Sequence, residues 1–187
     1  MDVIVLNYKL VLLFIVSSLI IYITYNHTYK KTINVISINS LEKGENYNLY
    51  LSELLSRSNL NYKYNIDYSN ENLEIENLIL KIESNDNNIQ ESLHKADVIL
   101  LSVGNIDYEI EDLNTIIKEL NTLCKKIRLL NNKQIFYIIP SKIKNTIYIK
   151  DMCHKYNIIF INGSSLKNRG DILAQIIFKK VESTYTK

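Results

Sequence analysis

The chain has no tryptophan, one proline, four glycines, two cysteines and three histidines among its 187 residues. So few glycines leave no phosphate-cradling glycine-rich loop, and no acidic cluster marks a receiver-type site. The two cysteines, Cys124 and Cys153, match no zinc or redox spacing, and each falls in a predicted helix as a buried free thiol. No metal site and no cofactor are expected. Neither sign of charge dominates: Lys and Arg number 22 against 20 for Asp and Glu. That balance carries no nucleic-acid footprint. What is abundant is Asn, Ile, Lys and Tyr, with 14 tyrosines. The skew matches an AT-rich coding bias, so a lone Asn or Lys carries no weight as site evidence.

One long hydrophobic run is present. Between Lys9 and Lys30 no charged residue occurs, and a window of about 20 apolar residues is the length that crosses a bilayer as a helix. Tyr8 at one end and Tyr22 and Tyr25 at the other suit the membrane interfaces. No small-x-small cleavage site and no cysteine follow the run, so a retained anchor is expected rather than a cleaved leader or a lipoprotein. The expected division is residues 1–31 as anchor, with its helix at about 9–28, and residues 32–187 as one domain. Lys9 stands on one side, and Lys30, Lys31 and Lys43 on the other. The count is nearly even and leans towards a cytoplasmic domain.

The domain is organised around residues 96–103, an apolar run rich in branched side chains that ends at Gly104. A strand apolar on both faces belongs inside a parallel sheet covered by helices. Other strands are predicted at 33–38, 62–66, 134–139 (closed by Pro140) and 157–161. Helical spacing recurs at Tyr47, Tyr50, Leu51, Leu54 and Leu55, at Ile75, Leu78, Ile79 and Ile82, and in a long stripe from Leu113 to Leu130. Residues 84–88 read as a polar loop, 145–156 and 171–181 as helices. Alternating strands and helices imply an α/β, doubly wound, five-stranded parallel sheet. Ligands of such sheets bind beyond the carboxyl ends of the strands. Those ends are Asn39–Ser40, the turn at 104–107 and the loop at 162–170.

The residues at these ends carry a resemblance. Ile38-Asn39-Ser40-Leu41-Glu42-Lys43-Gly44 is similar to the Gly-Asp-Ser-Leu block of the SGNH (GDSL) hydrolases. Gly104-Asn105-Ile106-Asp107 resembles their Gly-x-Asn-Asp block. Asn162-Gly163-Ser164-Ser165-Leu166-Lys167-Asn168-Arg169-Gly170 resembles their Asp-Gly-x-His-Leu-Asn-x-x-Gly block. The resemblance spans about residues 32–182 and implies a flavodoxin-like three-layer sandwich preceded by one transmembrane helix. It implies Ser40 at the nucleophile position, Asn162 and Ser165 at the positions of the triad Asp and His, and Gly104, Asn105 and Asp107 as binding residues. The oxyanion Asn position holds Ile106, and no glycine stands near Ser69 or Asn70, where the family has another block.

These departures bear on chemistry. A serine hydroxyl needs a hydrogen-bonded base to become a nucleophile, and an imidazole oriented by a carboxylate is the group that serves near neutral pH. Ser165 is no base at pH 7, and Asn162 cannot stabilise an imidazolium. Ile106 offers no donor to an oxyanion, a loss of ~3–4 kcal/mol. Loss of the base alone costs on the order of 10⁶ in turnover in a hydrolase. His27 precedes the domain, and His94 and His154 precede strands, at the edge opposite Ser40. Plainer roles compete at single positions: Ser40 as a turn residue or helix N-cap before the Tyr47 helix, Asp107 as an N-cap for the long helix, and Lys167-Asn168-Arg169 as a solvated loop.

Two functions follow. One is a membrane-anchored relative of the SGNH hydrolases, catalytically impaired, that binds or scaffolds an envelope glycan, a lipid or a protein at the cell membrane. The other is an active serine esterase or deacetylase with a rebuilt site around Ser40. The resemblance implies a single-pass protein with its domain outside the cytoplasm, against the slight lean of the lysine count.

Overall fold

The computed structural model describes residues 2–28, 32–39, 47–69, 74–84, 87–103, 112–139, 146–163, 165–166 and 169–186; within these, the side chains of 2–7, 9, 23, 25–28, 66–69 and 87 stand outside the description. The chain divides into two compact units, Met1–Thr32 and Ile33–Lys187.

The first unit is one helix, α1 (Asp2–Thr28), which begins seven residues earlier than expected. No glycine or proline interrupts it, and at 1.5 Å per residue it is roughly 40 Å long. Leu10, Leu13, Phe14, Leu19 and Ile21 are all exposed, so its apolar surface runs round the helix. Its hydroxyls bond inward: Ser17 Oγ donates to the Phe14 carbonyl at 2.9 Å and Thr24 Oγ1 to that of Ile20 at 2.8 Å. The helix forms, but the membrane crossing expected of it does not follow. Among the described residues no helix is long and apolar enough to cross a membrane.

The second unit is an α/β domain. Its strands are β1 (Thr32–Asn39), β2 (Asn61–Ser69), β3 (Val98–Ser102), β4 (Gln134–Ile139) and β5 (Ile159–Asn162). They form one parallel sheet in the order β2-β1-β3-β4-β5, the flavodoxin-like order. Val35 pairs with Val98, Leu100 with Phe136, and Ile138 with Ile161. The described helices are α2 (Asn48–Ser56), α3 (Ile75–Glu83), α4 (Asn87–Lys95), α5 (Leu113–Leu130), α6 (Thr146–Lys155) and α7 (Gly170–Tyr185).

Strand side chains alternate between two helical layers. Ile33, Val35, Val98, Leu100, Phe136, Ile138 and Ile161 pack under α2 and α7, against Leu51, Leu55, Leu173 and Ile177. Ile36, Ile38, Ile99, Leu101, Ile135, Tyr137 and Ile139 pack under α3 to α6, against Leu78, Leu93, Leu120 and Ile149. β3 is buried at every position, as its unbroken apolar sequence requires. Each such side chain contributes about 1.5–3 kcal/mol by leaving water.

Several local expectations are corrected. The segment read as a polar loop runs into α4, whose stripe is only Ile89 and Leu93, one turn apart and both buried. The long helix α5 is capped by Asp112, not Asp107: its Oδ1 accepts from the backbone N–H of Asn114 at 2.7 Å and of Thr115 at 3.1 Å. The N-cap of α2 is Tyr47, with no side-chain cap, so Ser40 does not fill that role. β5 starts two residues later than expected because Asn157 adopts φ 53°. The Asn157 N–H bonds the His154 carbonyl at 3.0 Å and the Ile158 N–H that of Cys153 at 2.8 Å. This left-handed closure ends α6. Both cysteines are buried free thiols, as expected.

Candidate functional site

In a sheet of this order the strand sequence reverses between β1 and β3, and the crevice beyond their carboxyl ends is where ligands bind. Towards that edge the α2-side column of β1 changes character, from Ile33 and Val35 to Ser37 and Asn39, all buried. Ser102 stands in register with Asn39 on β3, and its hydroxyl donates to the Ile138 carbonyl at 3.0 Å. On the opposite face the Tyr137 hydroxyl donates to the Val103 carbonyl at 2.9 Å. The carboxyl edge of the two central strands is therefore polar on the α2 side and apolar on the other.

Ser37 is the hub of a buried cluster. Its hydroxyl donates to Asn48 Oδ1 at 2.9 Å, and the Tyr64 hydroxyl donates to the same oxygen. A serine has one proton to give. The Tyr47 hydroxyl, 3.2 Å from Ser37 Oγ, must then donate to it, as does Asn39 Nδ2 at 3.3 Å. Burial drives the pKa of both phenols upward, with Tyr47 adding to the effect on Tyr64 and the Ser37 hydrogen bond opposing it at Tyr47. Both stay neutral donors. With Nδ2 committed to Ser37, Asn39 presents its Oδ1 elsewhere, and among the described residues this buried oxygen has no hydrogen-bond partner. A buried acceptor left unpaired costs about 1–3 kcal/mol.

The third strand end is different. Asn162, in register with Ile139, is the last residue of β5 and is exposed. Gly163 follows and is buried, its N–H bonding the Ile139 carbonyl at 3.0 Å. A Cβ at Gly163 would lie 2.6 Å from that oxygen, so the residue here has to be glycine for β5 to close against β4. Ser165 is exposed in the turn that follows, held by Leu166 N–H to Gly163 O at 2.8 Å and Arg169 N–H to Leu166 O at 2.9 Å. The Arg169 guanidinium pairs with Asp171 at 3.1 Å. Hydrogen bonding from Arg169 pulls the Asp171 carboxyl below its usual range.

Asn39, Asn162 and Ser165 thus share one edge of the sheet. β1 and β5 are three strand spacings apart, roughly 14 Å. Ser40, Gly104, Asn105, Ile106 and Asp107 lie outside the described residues, as do Ser164, Lys167 and Asn168. His94 and His154 are exposed in the last turns of α4 and α6, which lead into the amino ends of β3 and β5. They stand at the far edge from Asn39. Among the described residues no group of His, Cys, Asp or Glu could hold a metal ion.

The residues that the sequence reading missed are Ser37, Tyr47, Asn48 and Tyr64 as one cluster. The signal available was parity, because Ser37 and Asn39 share the face of Ile33 and Val35 in an otherwise apolar strand. Their partners on α2 and β2 were not readable, since only the folded chain brings those elements over β1. What the arrangement offers is hydrogen bonding without charge: a neutral edge of amide and hydroxyl groups. No protein-family model matches the chain, and no curated protein matches it.

Proposed function

We propose that the chain is a membrane-anchored, SGNH-like protein whose α/β domain binds rather than hydrolyses. Its carboxyl edge would take an envelope glycan, a lipid or a protein ligand, with the domain outside the cytoplasm. The observation that carries this reading is the exit of β5. Asn162 and Ser165, both exposed there, are the residues that the resemblance aligns with the triad Asp and His, and they supply neither a carboxylate nor an imidazole. The strand order β2-β1-β3-β4-β5 suits the family that the three sequence blocks resemble. Both described histidines of the domain lie in the last turns of α4 and α6, at the edge opposite Asn39 and Asn162. The neutral polar cluster around Ser37 favours recognition of hydroxyl or amide groups over ion binding. For the anchor, the support is α1 itself: 27 residues of uninterrupted helix, with apolar side chains exposed around it and hydroxyls bonded to its own backbone.

The full-length chain in detergent micelles, given p-nitrophenyl acetate and longer acyl esters, should turn over at the background rate. The Ser40→Ala variant should match it, and a fluorophosphonate should not label Ser40. Ser40-dependent turnover would instead establish an active esterase with a rebuilt base. Separately, the chain should stay with the membrane pellet through alkaline carbonate extraction; release into the supernatant would remove the anchor.

A further inference from the structure

We infer that β2 is a self-complementary edge through which two copies of this chain join their sheets in an antiparallel pair. Among the described residues β2 is an end strand, with β1 as its one sheet neighbour. Nine residues long, it presents a row of backbone groups of the kind that pairs with another strand. One face is covered, since Tyr62 and Tyr64 pack into the cluster under α2. The other is open: Lys63 and Asn65 are exposed and line a cleft of about 550 Å³ bounded by Glu91, Ser92 and Lys95 of α4.

The occupant is identified by the sequence of the strand. In an antiparallel two-fold pair centred on Asn65, the register sets Lys63 opposite position 67, an aspartate, and Tyr62 opposite position 68, a tyrosine. Tyr64 falls opposite Ile66, Asn61 opposite Ser69, and Asn65 meets its own copy. Asn65 is also the midpoint of the strand, so this register uses the full edge. The charges favour it, because no other antiparallel register sets the lysine opposite the aspartate. Centring the pair on residue 63 sets lysine against lysine, and centring it on residue 67 sets aspartate against aspartate. A parallel in-register pair sets like against like at both positions. Like charges directly opposite one another are destabilising. A lysine on an edge strand usually discourages pairing; here the aspartate four residues on turns it into a register key. The pairing is isologous, as a two-fold dimer requires. A strand pair buries less than the ~1,200 Å² at which stable interfaces begin, so the association is weak and is best read by trapping.

The test uses the full-length chain in detergent micelles with single added cysteines. Asn65→Cys places two thiols on the two-fold axis, at a Cα separation of ~4.5–5.5 Å, which suits a disulfide. Lys63→Cys places them roughly 13 Å apart along the strand, out of reach. Cys124 and Cys153 are buried, with the Cys124 thiol pushed up to about 12 by burial, so they do not compete. On mild oxidation Asn65→Cys should give a covalent dimer of twice 21.9 kDa, and Lys63→Cys should not. Adding Lys63→Asp to Asn65→Cys should slow trapping on the order of tenfold, and adding Asp67→Lys to that variant should restore it. No trapping at residue 65, equal trapping at 63 and 65, or trapping that Lys63→Asp leaves unchanged would each overturn the proposal. The last two outcomes would point to random collision or to contact through α1.

Discussion

The amino edge of the sheet and the Ser37 cluster at its carboxyl edge handle their polar groups in opposite ways. At the amino edge, side chains bond mostly to backbone. Asp97 Oδ2 accepts from the Asn34 N–H at 3.0 Å, and the Tyr185 hydroxyl donates to the Asp97 carbonyl at 3.1 Å. Arg128 donates Nε to the Tyr156 carbonyl at 2.8 Å, Nη1 to that of Lys133 at 2.6 Å and Nη2 to that of Asn157. Asn131 Nδ2 donates to the Ala96 carbonyl at 2.9 Å. Apart from the Asn34 N–H, which lies in β1, the groups they satisfy are carbonyls of the loops that lead from α4, α5 and α6 into β3, β4 and β5, where no helix or strand supplies a partner. At the carboxyl edge the described bonds around Ser37 run from side chain to side chain, and Asn39 Oδ1 has no partner among the described residues. Polar groups that close backbone serve stability, whereas a polar cluster with a spare acceptor costs stability where a ligand could meet it. Under the proposed function, the amino edge serves folding and the carboxyl edge recognition.

The largest expected effect is at the hub. Ser37→Ala removes the acceptor for Tyr47 and Asn39 and one donor to Asn48, all buried, and should cost about 3 kcal/mol. Chemical denaturation would read it as a lower midpoint with an unchanged slope. If the loss is under about 1 kcal/mol, water fills the cluster and the edge is wetter than the geometry says. Arg128→Met comes next, at about 2 kcal/mol. It keeps the stem of the half-buried side chain while the three carbonyls lose their donor, and part of the loss is recovered as water reaches them. Only Ser37→Ala should alter ligand capture at the carboxyl edge. Were Arg128→Met to weaken capture equally at matched stability, the division of labour between the edges would fail.

How much of this was legible depends on where the signal sits. β3 and β4 could be read because a buried strand needs an unbroken apolar run, and residues 98–101 and 135–139 supply one. α4 was missed because only Ile89 and Leu93 face inward from a sequence that is otherwise polar. The late start of β5 depends on one backbone angle at Asn157, which an asparagine tolerates without announcing it. Asp112 and Asp107 are both plausible caps by composition, and the choice rests on which one meets the N–H groups of Asn114 and Thr115. At the candidate site, Asn162 and Ser165 were placed at the correct edge by order along the chain. The Ser37 cluster was not, because hydrogen bonds between β1, α2 and β2 are a tertiary property.

The smallest effect sharpens the contrast between the edges through pH. A phenol whose pKa is raised on folding holds its proton longer in the folded chain than in the unfolded one. Its contribution to stability is complete below the unfolded pKa of about 10 and is lost as pH rises beyond it. Burial raises Tyr47 and Tyr64 at the carboxyl side. Burial also pushes Tyr62 up to about 12, with smaller contributions from Glu182 and Tyr185. At pH 10 each fully buried phenol should cost about 0.4 kcal/mol, steepening towards about 1.4 kcal/mol per pH unit above that. Tyr185 at the amino edge is raised too, by burial first and then by Asp97, but it is only half-buried and water screens it. Denaturation midpoints measured from pH 8 to 11 should therefore fall less steeply in Tyr47→Phe than in the parent chain, while Tyr185→Phe should follow the parent closely. Equal flattening by the two variants would mean that the Ser37 cluster is no more sealed from solvent than the amino edge, and the wet reading of the hub would then hold.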